Sequence, residues 1–304
     1  MSVTFTASEA AQRHQNGLRH LIFAGTLWGA GGLTGSLLAR QTGLAAPAVA
    51  TYRLGVGGLL LVLFLLISRR PLPRTRRSWV RIAVLGALAA EFQATYFAAV
   101  ERVSVSLATL LTIGASPLLV LAFEAATGRR PITPRALITV VPALTGLTLL
   151  VGVPDGRRDL SALLSGAAFA LLAAAGFATL TLVGSRPVPG LDDLAGTGFG
   201  FALGAVLLAL PATAAGGLTF TPNVPGLGLI LLLGIGPTAI AYAAYFRGLR
   251  SARPATAALM ALLEPLVGTA LSVVVLGDRL APAGWVGAGL LIAALVRESR
   301  RPSA

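Results

Sequence analysis

The chain has 304 residues, of which 55% are hydrophobic and only 12% are charged, and its mean hydropathy is +0.82. Soluble domains carry about a quarter charged residues, so this composition excludes an ordinary soluble protein and indicates an integral membrane protein. The net charge of +13 comes from arginines, since the chain has no lysine. Most of these arginines lie in loops and tails, which argues against a nucleic-acid partner.

Ten apolar segments follow one another along the chain. Each is close to the length of about 20 residues that a membrane-spanning helix needs, and none has the alternation of a barrel strand, so helices are predicted. The connections are too short to hold a soluble domain of any size. The segments are 20–39, 46–67, 80–100, 103–123, 135–152, 161–183, 191–212, 226–246, 255–276 and 282–296.

The arginines are concentrated on one side of the predicted membrane. Eighteen lie in the tails and loops on the side of the N-terminus, and five lie in the opposite loops. Cytoplasmic loops of membrane proteins are enriched in Lys and Arg, so we expect a multi-pass protein of the cell (inner) membrane with both termini in the cytoplasm. We interpret the first segment as an uncleaved helix, because nine more segments follow it.

The two halves of the chain resemble each other. The stretch YFAAVERVSVSLATLLTIGASPLLVLAFEAATGRRPITP (96–134) has the same order of features as YFRGLRSARPATAALMALLEPLVGTALSVVVLGDRLAPA (245–283). Each runs from Tyr-Phe through an arginine-containing turn to a helix with a central proline, Pro117 or Pro265. Halves of five segments enter the membrane in opposite senses. Such inverted repeats, with a substrate site between them, are typical of secondary transporters.

The residues that the chain lacks exclude several kinds of membrane enzyme. Without lysine it has neither a P-loop nor a retinal Schiff base, and without cysteine it has no disulfide or thiolate metal site. Its only histidines, His14 and His20, lie at the N-terminal edge, away from any intramembrane zinc or Ser-His site. We therefore expect no enzymatic activity, no metal and no cofactor.

Three charged residues lie inside the predicted spans, namely Arg53, Glu91 and Glu264. A charge at bilayer depth is costly, so each is a candidate for substrate binding. Internal pairing is the alternative, because the depths of Arg53 and Glu91 allow an ion pair. Glu264 could instead accept backbone donors that Pro265 sets free. Either glutamate could carry a coupling proton.

Amphipathic side chains supply further candidates. Trp28 lies too deep for the interfacial belt that Trp and Tyr usually occupy, and it could line a pocket. Tyr96 and Tyr245 lie nearer span ends, where anchoring in that belt is the favoured interpretation, while Tyr242 is open to either role. Gln93 is two residues from Glu91, roughly 200° away around a helix, so the two side chains can face different surroundings. The predicted substrate-binding set is Trp28, Arg53, Glu91, Gln93, Tyr96, Tyr242 and Glu264.

These motifs resemble the EamA-type transporters of the drug/metabolite transporter superfamily over nearly the whole chain. The pairs Trp28-Gly29 and Glu264-Pro265 are similar to that family's Trp-Gly and Glu-Pro, and Arg53 in AVATYRLGVGGLLL is similar to its second-span arginine. The family often has Gly-Glu-Arg after the fourth and ninth spans. This chain has Gly-Arg-Arg at 128–130 and Gly-Asp-Arg at 277–279. The first replaces the family's glutamate by arginine, and the second replaces it by the shorter aspartate.

The fold class that follows is an all-α integral membrane protein with ten transmembrane helices arranged as two inverted five-helix EamA repeats. On this plan a cytoplasmic tail covers 1–19, the first repeat 20–152, a connecting loop 153–160, the second repeat 161–296, and a second cytoplasmic tail 297–304.

The resemblance implies a secondary transporter that exports small polar metabolites, amino acids or related compounds first among them, by alternating access around a central cavity. The alternatives are a multidrug efflux carrier of the same fold, a lipid or lipid-carrier flippase, and a membrane scaffold or sensor without transport. The expected partners are a small-molecule substrate, the lipid bilayer and protons. The oligomeric state stays open, and a monomer is compatible with this plan.

Overall fold

The computed structural model describes residues 7–152 and 159–300, and within them every regular element is a helix. Most of the predicted connecting loop 153–160 lies outside the described residues, as do both ends of the chain. The first helix extends well before the predicted start at 20, because hydropathy marks the apolar part of a helix and not its polar extension. The first half holds α1 (Ala7–Thr42), α2 (Ala46–Ile67), α3 (Arg76–Arg102), α4 (Val105–Ala126) and α5 (Pro134–Val151).

The second half is more broken than the first. It contains two π-helical segments, Gly234–Ile240 and Ser272–Leu276, which continue the helices before them. Its α-helices are α6 (Leu160–Gly184), α7 (Asp193–Ala214), α8 (Val224–Leu233), α9 (Ala241–Gly248), α10 (Pro254–Met260), α11 (Leu263–Leu271) and α12 (Pro282–Ser299).

Nine helical stretches in the described part of the chain are long and apolar enough to cross a membrane. They include two composite stretches, Val224–Gly248 and Pro254–Leu276. The prediction of an all-helical, multi-pass membrane protein is therefore confirmed. The last helix, α12, is not among the nine, and its last turn contains the charged residues Arg297 and Glu298.

Several helices begin where a short polar side chain can satisfy a free backbone N–H group. Such caps stabilise a helix start, because the first amides have no partner within the helix. The capping residues are Thr75 for α3, Ser104 for α4, Thr133 for α5, Asp192 for α7 and Asn223 for α8.

Prolines lie at two of the breaks in the second half, whereas the π-helical segment Ser272–Leu276 contains none. Pro237 lies in the first π-helical segment, where the missing N–H group disturbs the usual hydrogen-bond ladder. Pro265 lies in the first turn of α11, a position that needs no intrahelical donor. The chain therefore leaves the helix after Met260 and re-enters it at Leu263, which places Glu264 at a helix start.

Among the helix pairs that join the halves of the chain, α2 with α7 and α5 with α12 pair helices in equivalent positions of the two halves. Glycines lie at both crossings, so the backbones touch. A Cβ atom on Gly146 of α5 would lie 2.7 Å from the carbonyl oxygen of Gly287 on α12. Gly58 of α2 and Gly198 of α7 approach each other in the same way. Small residues of this kind let membrane helices pack closely.

The remaining helices pack around these two pairs. The helix α1 contacts α8, α9 and α11 of the second half, while α6 contacts α3 and α4 of the first half. Each half therefore contributes its first helix to the interior of the other. The enclosed space between α1, α2, α3, α4 and the broken helices of the second half is the central cavity.

Candidate functional site

The central cavity has a volume of about 300 Å³. Six of the seven side chains predicted to bind substrate line it, and the seventh, Glu91, does not. The six come from α1, α2, α3, α9 and α11, which are far apart in sequence. They are Trp28, Arg53, Gln93, Tyr96, Tyr242 and Glu264.

The cavity reaches one end of the bundle, which we call the open end, where α1 ends and α2 begins. Its other wall residues on α1 to α4 all lie toward that end of their helices. They include Ser36 and Ala39 on α1, Ala46 on α2, Val100 on α3 and Val105 on α4. A second cleft of about 580 Å³ shares Trp28, Tyr96 and Glu264 with the cavity and continues to the turn at 278–280. Glu264 thus lies where the two spaces meet.

Arg53 supplies positive charge to the cavity wall. Its Nε atom donates to Oγ1 of Thr238, 3.3 Å away. In the described residues no carboxylate forms an ion pair with Arg53. The ion pair with Glu91 that the sequence allowed is therefore not formed, because Glu91 points to another helix.

Glu264 supplies the negative charge. It lies in the first turn of α11, and its backbone N–H donates to the carbonyl of Ala261 over 3.0 Å. The positive end of a helix dipole favours a carboxylate at this position. Arg53 brings the opposite charge to the wall of the same cavity. The helix break before α11 is thus the local reason that a carboxylate can lie within the apolar stretch Pro254–Leu276.

An aromatic cluster forms the floor of the cavity. The ring of Trp28 lies 4.8 Å from that of Tyr242, 4.9 Å from that of Tyr245 and 5.9 Å from that of Phe177, measured between centroids. Tyr245 is only 1% exposed, and its hydroxyl lies 2.7 Å from Oγ1 of Thr181. The anchoring of Tyr245 in an interfacial belt is therefore wrong, because the residue faces the bundle interior.

Below this floor lies the arginine-rich end of the bundle, formed by the end of α2, the start of α3, the end of α6 and the turn after α9. Charged contacts tie these segments together. Arg250 pairs with Asp193, and Arg70 pairs with Asp192 over 3.1 Å. Arg81 donates to the carbonyl of Val183. With the aromatic floor, these contacts close the cavity at the arginine-rich end.

Glu91 lies outside the cavity, at the contact of α3 with α6. Its carboxylate occupies the space beside Gly176, which any Cβ atom would fill. Thr95 donates to its backbone carbonyl over 2.8 Å, and Oε2 has no hydrogen-bond partner in the described part of the chain. Gln93, two residues on, is 4% exposed and lines the cavity. The two side chains thus face different surroundings.

Tyr96 and Thr109 close the side of the cavity that faces α4. The hydroxyl of Tyr96 lies 2.8 Å from Oγ1 of Thr109, and both residues belong to the wall. Sequence reasoning missed Thr109 and Phe177, because a threonine or a phenylalanine in an apolar helix carries no signal that it faces a cavity. Both are recognisable only from their contacts in the structure, Thr109 with Tyr96 and Phe177 with Trp28.

The wall combines one guanidinium, one carboxylate, several hydroxyls and an aromatic floor. Such a set can bind a small molecule with both an acidic and a basic group, through charge-assisted hydrogen bonds. Within the part of the chain that the structure describes, no three His, Cys, Asp or Glu side chains converge as a metal site would require.

The chain matches the model of a known protein family. The model of the EamA-like transporter family matches the chain twice, at residues 16–152 and 164–297. The two matches divide the chain near the predicted connecting loop.

Curated relatives cover nearly the whole chain. It is 29% identical to "Uncharacterized transporter YwfM" of Bacillus subtilis (strain 168) over 93% of each chain. It is 26% identical to "Uncharacterized inner membrane transporter YicL" of Salmonella typhimurium over 93% of this chain and 94% of the relative. A solved crystal structure of a protein shares the fold, with a TM-score of 0.77 and 19% identity over 95% of this chain and 99% of the other.

Proposed function

The chain belongs to the EamA-like transporter family and is not an enzyme, and from this premise we propose that it is a secondary transporter of small polar metabolites, with amino acids and related compounds as the leading class. The observation that carries this proposal is the presence of Arg53 and Glu264 on the wall of the same central cavity. A carboxylate of the substrate would bind Arg53, and an amine would bind Glu264. The aromatic floor would contact the apolar part of the substrate.

The size of the cavity supports small substrates. Its volume of about 300 Å³ lies at the lower limit of ordinary ligand pockets, which run from about 300 to 1,000 Å³. An amino acid is a better match to this space than a typical drug. A multidrug efflux carrier is therefore the weaker proposal, although the adjoining cleft would allow a longer molecule to extend past Glu264.

The packing of the helices supports ten spans in two inverted repeats, with α12 as the tenth span. Most contacts between helices of different halves have a counterpart when the halves are exchanged. The contact of α1 with α9 corresponds to that of α6 with α3, and the contact of α1 with α11 corresponds to that of α6 with α4. Transporters of this architecture move one repeat against the other around a site near the midplane.

The arginine distribution supports a cytoplasmic arginine-rich end, and hence both termini inside. On this orientation the cavity is open to the outside, and the aromatic floor and the contacts of Arg250 and Arg70 block the inner exit. Export then requires a second state in which Arg250 leaves Asp193 and the helices close at the open end. The relative named as an inner-membrane transporter supports the same location for this chain.

The test is uptake and counterflow of labelled amino acids in proteoliposomes, with a panel of acidic, basic and neutral compounds. We expect at least one zwitterionic compound to be transported and to compete with the others. A reconstituted, folded protein that moves no member of the panel but scrambles fluorescent phospholipids would contradict the proposal and favour a flippase.

A further inference from the structure

We propose that a cleft at the arginine-rich end, separate from the central cavity, binds the headgroup of an anionic phospholipid. The cleft has a volume of about 860 Å³ and lies between α3, α6 and the side of α4. Four of the residues that line it are arginines, which are Arg76, Arg77, Arg81 and Arg186. None of them lines the substrate cavity.

The positive charge of this cleft has no paired carboxylate in the described residues, since Asp193, which lines an adjoining pocket with Arg81 and Arg186, pairs with Arg250. No carboxylate belongs to its lining, and in the described residues none of the four arginines forms an ion pair. Arg81 instead lies near enough to Arg186 and Arg250 for their charges to act on it. Its Nη1 atom donates to the carbonyl of Val183, which holds the guanidinium at the wall. A concentration of like charge at one place is stabilised by a bound anion.

Arginine side chains suit a phosphate group in particular. The planar guanidinium presents several N–H donors that match phosphate oxygens in pairs. Arg76 and Arg77 come from the first turn of α3, while Arg186 follows the end of α6, so the donors approach from two sides. A phosphate between them would accept hydrogen bonds from both helices.

The cleft has a charged part, formed by the arginines, and an apolar part beside it, as the headgroup and acyl chains of a lipid require. Below the arginines its wall is apolar and faces outward, since Val80 is 55%, Val84 38% and Phe123 41% exposed. Arg77 and Val84 are seven residues apart on α3, which corresponds to roughly 10 Å along the helix axis. A headgroup at the arginines would thus place an acyl chain along Val80, Val84 and Phe123.

This apolar wall favours a phospholipid over a soluble phosphate. A soluble anion would use the arginines and leave the exposed apolar side chains without a ligand. Basic pockets between membrane helices near the cytoplasmic surface are known as headgroup sites. Occupancy would link α3 of the first half to α6 of the second.

The test is native mass spectrometry of the detergent-purified full chain with added dioleoylphosphatidylglycerol or dioleoylphosphatidylcholine. The variant is Arg77→Gln with Arg186→Gln, both exposed, so the fold does not depend on them. The control is Arg297→Gln with Arg300→Gln, which removes the same charge from exposed positions in α12 and just after it, outside the cleft. Arg77→Lys with Arg186→Lys tests whether charge alone is enough.

We expect the wild type to bind phosphatidylglycerol more tightly than phosphatidylcholine. Each arginine near an anionic lipid contributes about fivefold, so the Gln pair should lose roughly 25-fold in affinity. The control pair should bind as the wild type does, and the Lys pair should recover only part of the binding, because an ammonium cannot form the paired bonds of a guanidinium. An equal loss in the control pair, or no preference for the anionic lipid, would overturn the proposal. Full displacement of the lipid by equimolar glycerol 3-phosphate would also overturn it, because the site would then recognise the phosphate alone.

Discussion

Arg53 on α2 donates a hydrogen bond to Thr238, which lies in the π-helical segment after α8 and belongs to the other half of the chain. Thr238 in turn donates to the carbonyl of Leu233, 2.9 Å away and five residues earlier. The π-helical segment thus presents a hydroxyl that holds the guanidinium at the wall, while its other donors remain for a ligand. The π-helical segment of the second half therefore positions the Arg53 side chain at the cavity wall.

Replacement of Arg53 is expected to weaken the binding of carboxylate-containing substrates. A hydrogen bond to a charged group contributes about 1.5 to 3 kcal/mol, so Arg53→Gln should lose roughly 10- to 100-fold in affinity. Arg53→Lys should recover only part of this, because an ammonium cannot form the paired bonds of a guanidinium. Binding is measured by scintillation proximity on purified protein. Arg40→Gln, an exposed arginine near the end of α1, is the control.

Trp28 is expected to report on substrate binding by fluorescence. The chain has three tryptophans, and Trp79 and Trp285 are 47% and 62% exposed, whereas Trp28 is 4% exposed and forms the cavity floor. In a protein with Trp79→Phe and Trp285→Phe, substrate should change the emission of the remaining tryptophan in a saturable way. An emission spectrum that does not respond to a transported substrate would place that substrate elsewhere.

The crossing of α5 and α12 is expected to be sensitive to a single methyl group. A Cβ atom on Gly287 would lie 2.5 Å from the carbonyl oxygen of Gly146, whereas one on Gly289 meets nothing within 4 Å. Overpacking costs about 1 to 3 kcal/mol, so Gly287→Ala should lower the melting temperature in detergent. Gly289→Ala should leave it unchanged or raise it, because alanine favours a helix over glycine. Equal melting temperatures would show that this crossing is not close-packed.

Glu91 and Gly176 are expected to behave as a coupled pair. A Cβ atom on Gly176 would overlap the Glu91 carboxylate, so Gly176→Ala should destabilise the protein. The same substitution in a Glu91→Ala background should cost much less, because the space is then free. A double-mutant cycle of thermal stability measures the coupling. Additive effects would mean that Glu91 does not occupy this space.

The sequence predicted the helical, multi-pass character and six residues of the cavity wall, because a charged or polar group in an apolar span is conspicuous. Arg53 and Glu264 were recognisable on that ground. Glu91 was equally conspicuous, but hydropathy does not tell which face of α3 meets the cavity and which meets α6. Phe177 and Thr238 gave no signal, since both are ordinary in an apolar helix. Pro237 marks the first π-helical segment, whereas the second, Ser272–Leu276, contains no proline and has the residue types of an ordinary apolar helix.

The most direct test of the proposed site compares Glu264→Gln with Glu91→Gln. Both replace an intramembrane carboxylate by a neutral group of the same shape, but only Glu264 lines the cavity. The measurement is equilibrium binding of a transported amino acid to each purified, folded variant. The account predicts a loss of roughly tenfold or more for Glu264→Gln, from the lost charge-assisted bond, and wild-type binding for Glu91→Gln. Wild-type binding by Glu264→Gln, or equal loss in both variants, would contradict it.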